Sequence, residues 1–299
     1  MADQLRDLFL YVPDPILTGL ARTHGIKTAG LRKLQLAQQL AKAINSTELE
    51  QLLDAYRYGG RGSVIWFRPT MNGEPITLSN AQVREKLRVY CSGDPFGEDL
   101  KPELERRPKV VNAKLLASDK VLVQMAYLEV RPRAVGFELK EEEETAFSRL
   151  VIRKGSLFFE VRAGRDKAVQ MAGDIATAVG CEDKGQIVFN DSEMNNIIAG
   201  LGASVIAAKH KHPSGDFDTT EVVVSPELGD LQASSEYTLG LGILEGRRKR
   251  VQFTCTFGSD IISVRAELYP KTGNVVFRSY IDERVLDYVF ERVKQVKGL

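Results

Sequence analysis

Two segments far apart in the chain repeat one pattern, a β-hairpin followed at once by an amphipathic helix, and such a unit is not stable alone. In the first, about 148–180, Leu150 to Ile152 and Leu157 to Arg162 read as strands around a Lys154-Gly155-Ser156 turn; Ala168, Val169, Ala172, Ile175, Ala176 and Val179 then recur at helical spacing. In the second, about 261–297, Ile262 to Tyr269 and Val275 to Tyr280 flank a Pro270 to Asn274 turn, and Val285, Leu286, Val289, Phe290, Val293 and Val296 follow. Both helices place apolar residues at offsets 0, 1, 4 and 8 from their first member. A hairpin leaves one apolar face in water until a helix or another sheet covers it. The repeat therefore predicts an α+β fold in which both copies join an antiparallel sheet with helices on one side.

Ahead of this body the chain reads as helical. Leu5, Leu8, Phe9 and Val12 recur at helical spacing and stop at Pro13. Asp14 and Pro15 suit a helix start, Ile16, Leu17, Leu20 and Ala21 form its apolar stripe, and Gly25 suits the residue after its end. Leu31, Leu34, Leu36, Ala37, Leu40, Ala41 and Ile44 predict a second inward-facing stripe, and Ser46 is expected to cap a third helix over Glu48 to Tyr56. Gly59-Gly60-Arg61-Gly62 then breaks the pattern, which places a hinge between a helical module, 1–58, and a body, 63–299. Beyond it Ser63 to Phe67 is strand-like, Asn72-Gly73 a turn, Ser92 to Pro108 an exposed loop, Glu141 to Glu144 an acidic turn, and Tyr237 to Leu244 a strand.

With 41 Lys and Arg against 40 Asp and Glu, the net charge of +1 excludes a polycationic coat protein, so any basic surface must be local. Residues 1–46 hold six Lys or Arg and three Asp. Arg22, His24, Lys27, Thr28, Arg32 and Lys33 all fall around the Gly25 to Gly30 link, where the second helix would present its first-turn amides. Such a cluster fits phosphate backbones, which supply affinity and register but no sequence code. A second basic run, Arg247-Arg248-Lys249-Arg250 after Gly246, reads as the tip of a hairpin and is the second candidate for nucleic-acid contact.

The stretch Leu17 to Leu40, with Gly25-Ile26 and Gly30 at characteristic spacing, resembles the SAP family of helix-extension-helix DNA-binding modules. Lys33, Leu36 and Leu40 align with that family's second helix when one residue is inserted after Gly30, which turns the helix by about 100°. The resemblance covers about a tenth of the chain and implies a DNA-binding module; the clustering of basic and polar residues around the link, apart from the resemblance, makes Arg22, Lys27, Thr28, Arg32 and Lys33 the expected phosphate contacts.

His210-Lys211-His212-Pro213-Ser214-Gly215-Asp216 resembles the H-x-H-P-S-G-D signature of JAB/MPN metal-dependent proteases, which implies a Zn²⁺ held by His210 and His212. Residues i and i+2 of a strand share a face, so both imidazoles can reach one ion. The Ser-x-x-Asp that completes the signature is missing from Phe217 to Val224, and the segment is read instead as a polar surface turn. Neither G-x-x-x-x-G-K-[ST], G-x-S-x-G nor a strand-helix G-x-G-x-x-G occurs.

Cys91, Cys181 and Cys255, 90 and 74 residues apart, form neither a disulfide framework nor a zinc knuckle and point to an intracellular compartment: cytoplasm, nucleoid or nucleus. The N-terminus lacks a signal-peptide pattern, and no apolar run is long enough to span a bilayer, so no membrane partner is expected. Together these features describe a non-enzymatic DNA-binding or adaptor protein without a cofactor, whose sheet body offers further surface to protein partners. A zinc hydrolase centred on His210 and His212, or an interaction subunit of a larger complex, are the alternatives.

Overall fold

The computed structural model describes residues 5, 8, 9, 12–57, 60–117, 119–135, 138–153, 157–211, 219–223, 229–239, 246–258 and 260–299. Three helices come first: α1 (Asp14–Thr23), α2 (Lys33–Ala43) and α3 (Ser46–Arg57). Then follow β1 (Gly60–Phe67), a small hairpin of β2 (Thr70–Met71) and β3 (Glu74–Pro75), and α4 (Asn80–Cys91). A four-stranded meander, β4 (Lys109–Ala117), β5 (Lys120–Val135), β6 (Glu138–Arg153) and β7 (Phe158–Arg162), leads into α5 (Arg165–Val179). The remainder is α6 (Asp191–Gly200), β8 (Ser204–Lys211), β9 (Thr219–Val223), α7 (Ser235–Leu239), β10 (Gly246–Phe257), β11 (Asp260–Tyr269), β12 (Asn274–Ile281) and α8 (Glu283–Lys297). The α+β class holds.

The chain forms two compact units, one of Met1–Gly62, Asp191–Leu268 and Val276–Leu299, the other of Ser63–Asn190 and Tyr269–Val275. A division into 1–58 and 63–299 runs along the chain, whereas these units interleave. Gly60 and Gly62 also lie inside β1, so the glycine run enters a strand at Gly60; Gly59 lies outside the described residues.

In the second unit the strand order is β4-β5-β6-β7-β1, every pair antiparallel. Alternation sends Ile65 and Phe67 of β1, Val121, Val123 and Met125 of β5, Leu150 and Ile152 of β6, and Phe159 and Val161 of β7 to one face. There Val83 and Leu87 of α4 and Ala168, Met171, Ala172, Ile175 and Val179 of α5 bury them. Ser79 starts α4 with a capping box: its Oγ accepts from Gln82 N–H at 3.3 Å, and Gln82 Oε1 accepts from Ser79 N–H at 2.8 Å. Glu141 to Glu144 are not a turn. They continue β6 opposite Pro132, Arg131, Val130 and Glu129 of β5, because the hairpin runs on as a long two-stranded arm. The 92–108 segment is pinned: Leu100 N–H donates to the Val111 carbonyl at 2.8 Å, and Arg107 donates to buried Asp174 of α5.

The first unit orders its strands β9-β8-β10-β11-β12, with β8/β9, β8/β10 and β10/β11 antiparallel. Along β10, Lys249, Val251, Phe253 and Cys255 are buried while Arg248, Arg250, Gln252, Thr254 and Thr256 alternate with them. Helices cover the buried side, since Asn195 of α6 accepts a hydrogen bond from Lys249 and Tyr288 of α8 packs edge-on against Phe257. Both hairpin-helix units of the sequence are present, β6-β7-α5 and β11-β12-α8, and each helix is 15 residues long. The second turn depends on Gly273, at φ 60°, where a Cβ would overlap the Ile187 carbonyl oxygen.

The N-terminal helices enclose a small core of their own, built from Leu8, Val12, Leu17, Ala21, Leu36, Ala37, Leu40, Ile44, Leu49 and Leu53. They join the first unit through contacts of α3 with α8. Three local expectations are corrected. Leu34 is 47% exposed, because only one stripe of α2 fits between its neighbours. The cap of α3 is Asn45, whose Oδ1 accepts from Glu48 N–H at 2.9 Å, and Ser46 lies inside the helix. Tyr237 to Leu239 is helical rather than extended, and 240–244 lies outside the described residues.

Candidate nucleic-acid interface

Two glycines shape the link between α1 and α2. Gly25 takes φ 71°, and around it Ile26 N–H donates to the Ala21 carbonyl at 2.8 Å and Gly25 N–H to the Arg22 carbonyl at 3.0 Å. This double bond pattern ends α1 on a left-handed residue that glycine adopts without strain. Gly30 takes φ 77° and turns the chain into α2, where Gln35 Oε1 accepts from Arg32 N–H at 2.8 Å. The result is helix, short extension, helix.

The structure separates the basic residues of this link into two kinds. Arg22, Lys27 and Arg32 are exposed and form no ion pair among the described residues, and Thr28 is half-buried between them in sequence. Lys33 is partly buried, 3.3 Å from Asp14 Oδ1 and lying over the Phe9 ring. His24 Nε2 lies 3.0 Å from Glu48 Oε1. Three cations thus face solvent around the turn, while the fourth is held by α1.

The second basic run is not a hairpin tip. Arg247 to Arg250 lie in β10, where Arg248 to Arg250 pair with β8 and Lys249 and Arg250 also with β11, so neighbours in sequence point to opposite faces. Lys249 points to the helix-covered face, its Nζ donating to Asn195 Oδ1 at 2.5 Å, and burial lowers its pKa against the opposing pull of Asp191. It cannot reach a nucleic acid without leaving the core. Arg248 and Arg250 point the other way. Arg248 donates to Glu221 of β9 at 2.7 Å, and Arg250 Nε donates to Glu267 of β11 at 3.2 Å. Arg247, at the bulge beside Gly246, is half-buried.

His210 does not sit on a surface turn either. It is buried in β8, its Nε2 3.0 Å from the Tyr237 hydroxyl, and Tyr237 itself is pushed up to about 12 by burial and by the charge of Asp191. Asp191 in turn accepts from Gly246 N–H at 3.0 Å. This is a polar cluster that fixes α6 and α7 to the sheet. His212 to Asp218 lie outside the described residues, and no group of three or more metal-ligating side chains occurs among the described residues. No signal in the sequence distinguishes a buried strand histidine from an exposed turn histidine; what decides it is the pairing of β8 with β10.

No helix among the described residues is long and apolar enough to cross a membrane. No protein-family model matches the chain, and no curated protein matches it.

Proposed function

We propose that the chain is a non-enzymatic nucleic-acid-binding protein of the cell interior whose N-terminal helix-extension-helix module contacts the phosphate backbone of DNA. The observation that carries this reading is the exposed trio Arg22, Lys27 and Arg32, set around a link held by two left-handed glycines. Cations on a short rigid link meet phosphates without first ordering a flexible segment, and they displace condensed counterions on contact. Lys33 adds less than the others, since Asp14 already offsets its charge. The sheet body remains available to protein partners, which is the adaptor side of the same reading.

The test is a salt-dependent titration on labelled duplex DNA. Replacing Arg22, Lys27 and Arg32 by Gln should weaken binding and flatten the plot of log K against log salt by about 0.9 for each lost phosphate contact. The fold should be unaffected, because exposed substitutions of this kind cost less than about 0.5 kcal/mol. An unchanged slope would remove the module from the interface.

A further inference from the structure

We infer that the polar face of the β8-β10-β11-β12 sheet, opposite the face its helices bury, is a second phosphate-binding surface, independent of the helical module. Strand register collects its residues from distant parts of the chain. Lys209 pairs with Glu221 on β9 and Arg248 on β10, Lys211 with Thr219, Arg250 with Glu267, and Gln252 with Arg265. Arg278 of β12 joins the same face by donating to Glu267 at 2.8 Å. Six cations, Lys209, Lys211, Arg248, Arg250, Arg265 and Arg278, therefore share one face with two carboxylates, Glu221 and Glu267, among the described residues. In a chain of net charge +1, this is a local excess of positive charge among the described residues.

The two carboxylates position the arginines more than they neutralise the surface. Glu267 is 2% exposed and lies beneath the arginines, with Arg248, Arg250 and Arg278 all within ion-pair distance. The side chains of Arg250 and Arg278 are nevertheless 36% and 54% exposed. Arg265 Nε donates to Gln252 Oε1 at 3.2 Å, which steadies a fourth guanidinium beside them. From β12 to β8 is three strand spacings, about 14 Å, so the cations extend across several phosphates of a nucleic-acid strand. Guanidinium groups held in place on a sheet lose little side-chain freedom on binding and suit bidentate phosphate contact. Thr254, Thr256 and Ser263 share the face and add uncharged hydrogen-bonding groups at its margin.

Full-length protein with Lys211→Gln and Arg265→Gln, two exposed positions outside the Glu267 cluster, and a second variant with Arg250→Gln and Arg278→Gln, should be titrated on labelled duplex DNA across salt concentration. Each variant should flatten the log-log slope by about 0.9 per lost contact, and by that amount again when combined with the Arg22, Lys27 and Arg32 replacements. The first variant keeps the test informative if the second unfolds. A slope that falls with the sheet variants but not with the module variant supports this surface and sinks the module. A slope that responds only to the module variant overturns the sheet surface, and absence of DNA binding by the wild type overturns both. Salt-sensitive self-association abolished by the sheet variants, without any change in DNA binding, would assign the face instead to the acidic β5-β6 arm of a second copy.

Discussion

Each unit buries one glutamate among arginines on a sheet face, and the two arrangements differ in what they leave accessible. Glu160 of β7 is fully buried: its Oε2 accepts from Arg153 Nε at 3.0 Å and Trp66 Nε1 at 3.3 Å, and its Oε1 from Arg162 Nε at 2.8 Å. Both of its arginines are less than a tenth exposed. Glu267 of β11 is as deeply placed, yet its arginines reach water. Sequestered charges must satisfy one another, and such a network serves the fold. Charges held from below but open above can serve a ligand. The same residue types, Glu and Arg on alternate strand positions, thus separate into a structural role and a recognition role according to what covers the face.

The sharpest way to break this comparison is Glu160→Gln. It strips a buried carboxylate from two buried guanidiniums and should cost about 3–5 kcal/mol of unfolding free energy in a denaturant titration. A cost below about 1 kcal/mol would show that the cluster is hydrated and the contrast false. The pH dependence follows from the same group. Desolvation, the largest influence, raises its pKa, but the charges and hydrogen bonds of Arg153 and Arg162 outweigh it and hold it at about 2, below the ordinary 4.5. A depressed carboxylate stabilises the fold above its unfolded pKa, so this contribution should be complete above about pH 5 and fade as pH falls from about 4.5 towards 2. Thermal melts of wild type and Glu160→Gln should converge across that window, and parallel curves would contradict the assignment.

His210→Ala comes next in size. It leaves the buried Tyr237 hydroxyl without its imidazole partner and opens space between β8 and α7, at a cost of about 1–3 kcal/mol. Near-wild-type stability would return His210 to a surface role. Glu267→Gln should cost less, about 1–2 kcal/mol, because its arginines can rehydrate. It should at the same time raise DNA affinity at fixed salt by removing a negative charge beneath the cations. Stabilities measured by chemical denaturation and affinities measured on the same preparations decide whether Glu160 and Glu267 differ as described.

Some of this was readable in the residues themselves. Both hairpin-helix units were, because alternation at period two and apolar offsets of 0, 1, 4 and 8 are local properties that burial preserves. The Gly25 and Gly30 turns were equally local, since a left-handed φ strongly favours glycine. Misread positions share one cause. Arg247 to Arg250 suggest a solvated tip because four adjacent cations are costly on a strand buried on both faces, yet along β10 charged and apolar sides alternate, so Arg248 and Arg250 pair with Glu221 and Glu267 on one face while Lys249 finds Asn195 on the other. Glu141 to Glu144 look like a turn but extend a two-stranded arm, where neither face needs to be apolar.

Local pattern, then, determined the two hairpin-helix units, the N-terminal helices, the Gly25 and Gly30 turns and the α+β class, because those choices rest on backbone sterics and on side chains a few positions apart. Only the tertiary structure decided which strand became β10's neighbour and which sheet face collected the charged residues. Those depend on residues such as Lys209, Glu221, Glu267 and Arg278, which are remote in the chain and meet only through strand pairing and side-chain packing. Burial is a property of the assembled layers, so whether a charged residue holds the fold together or faces a ligand is settled by those layers rather than by its immediate neighbours in sequence.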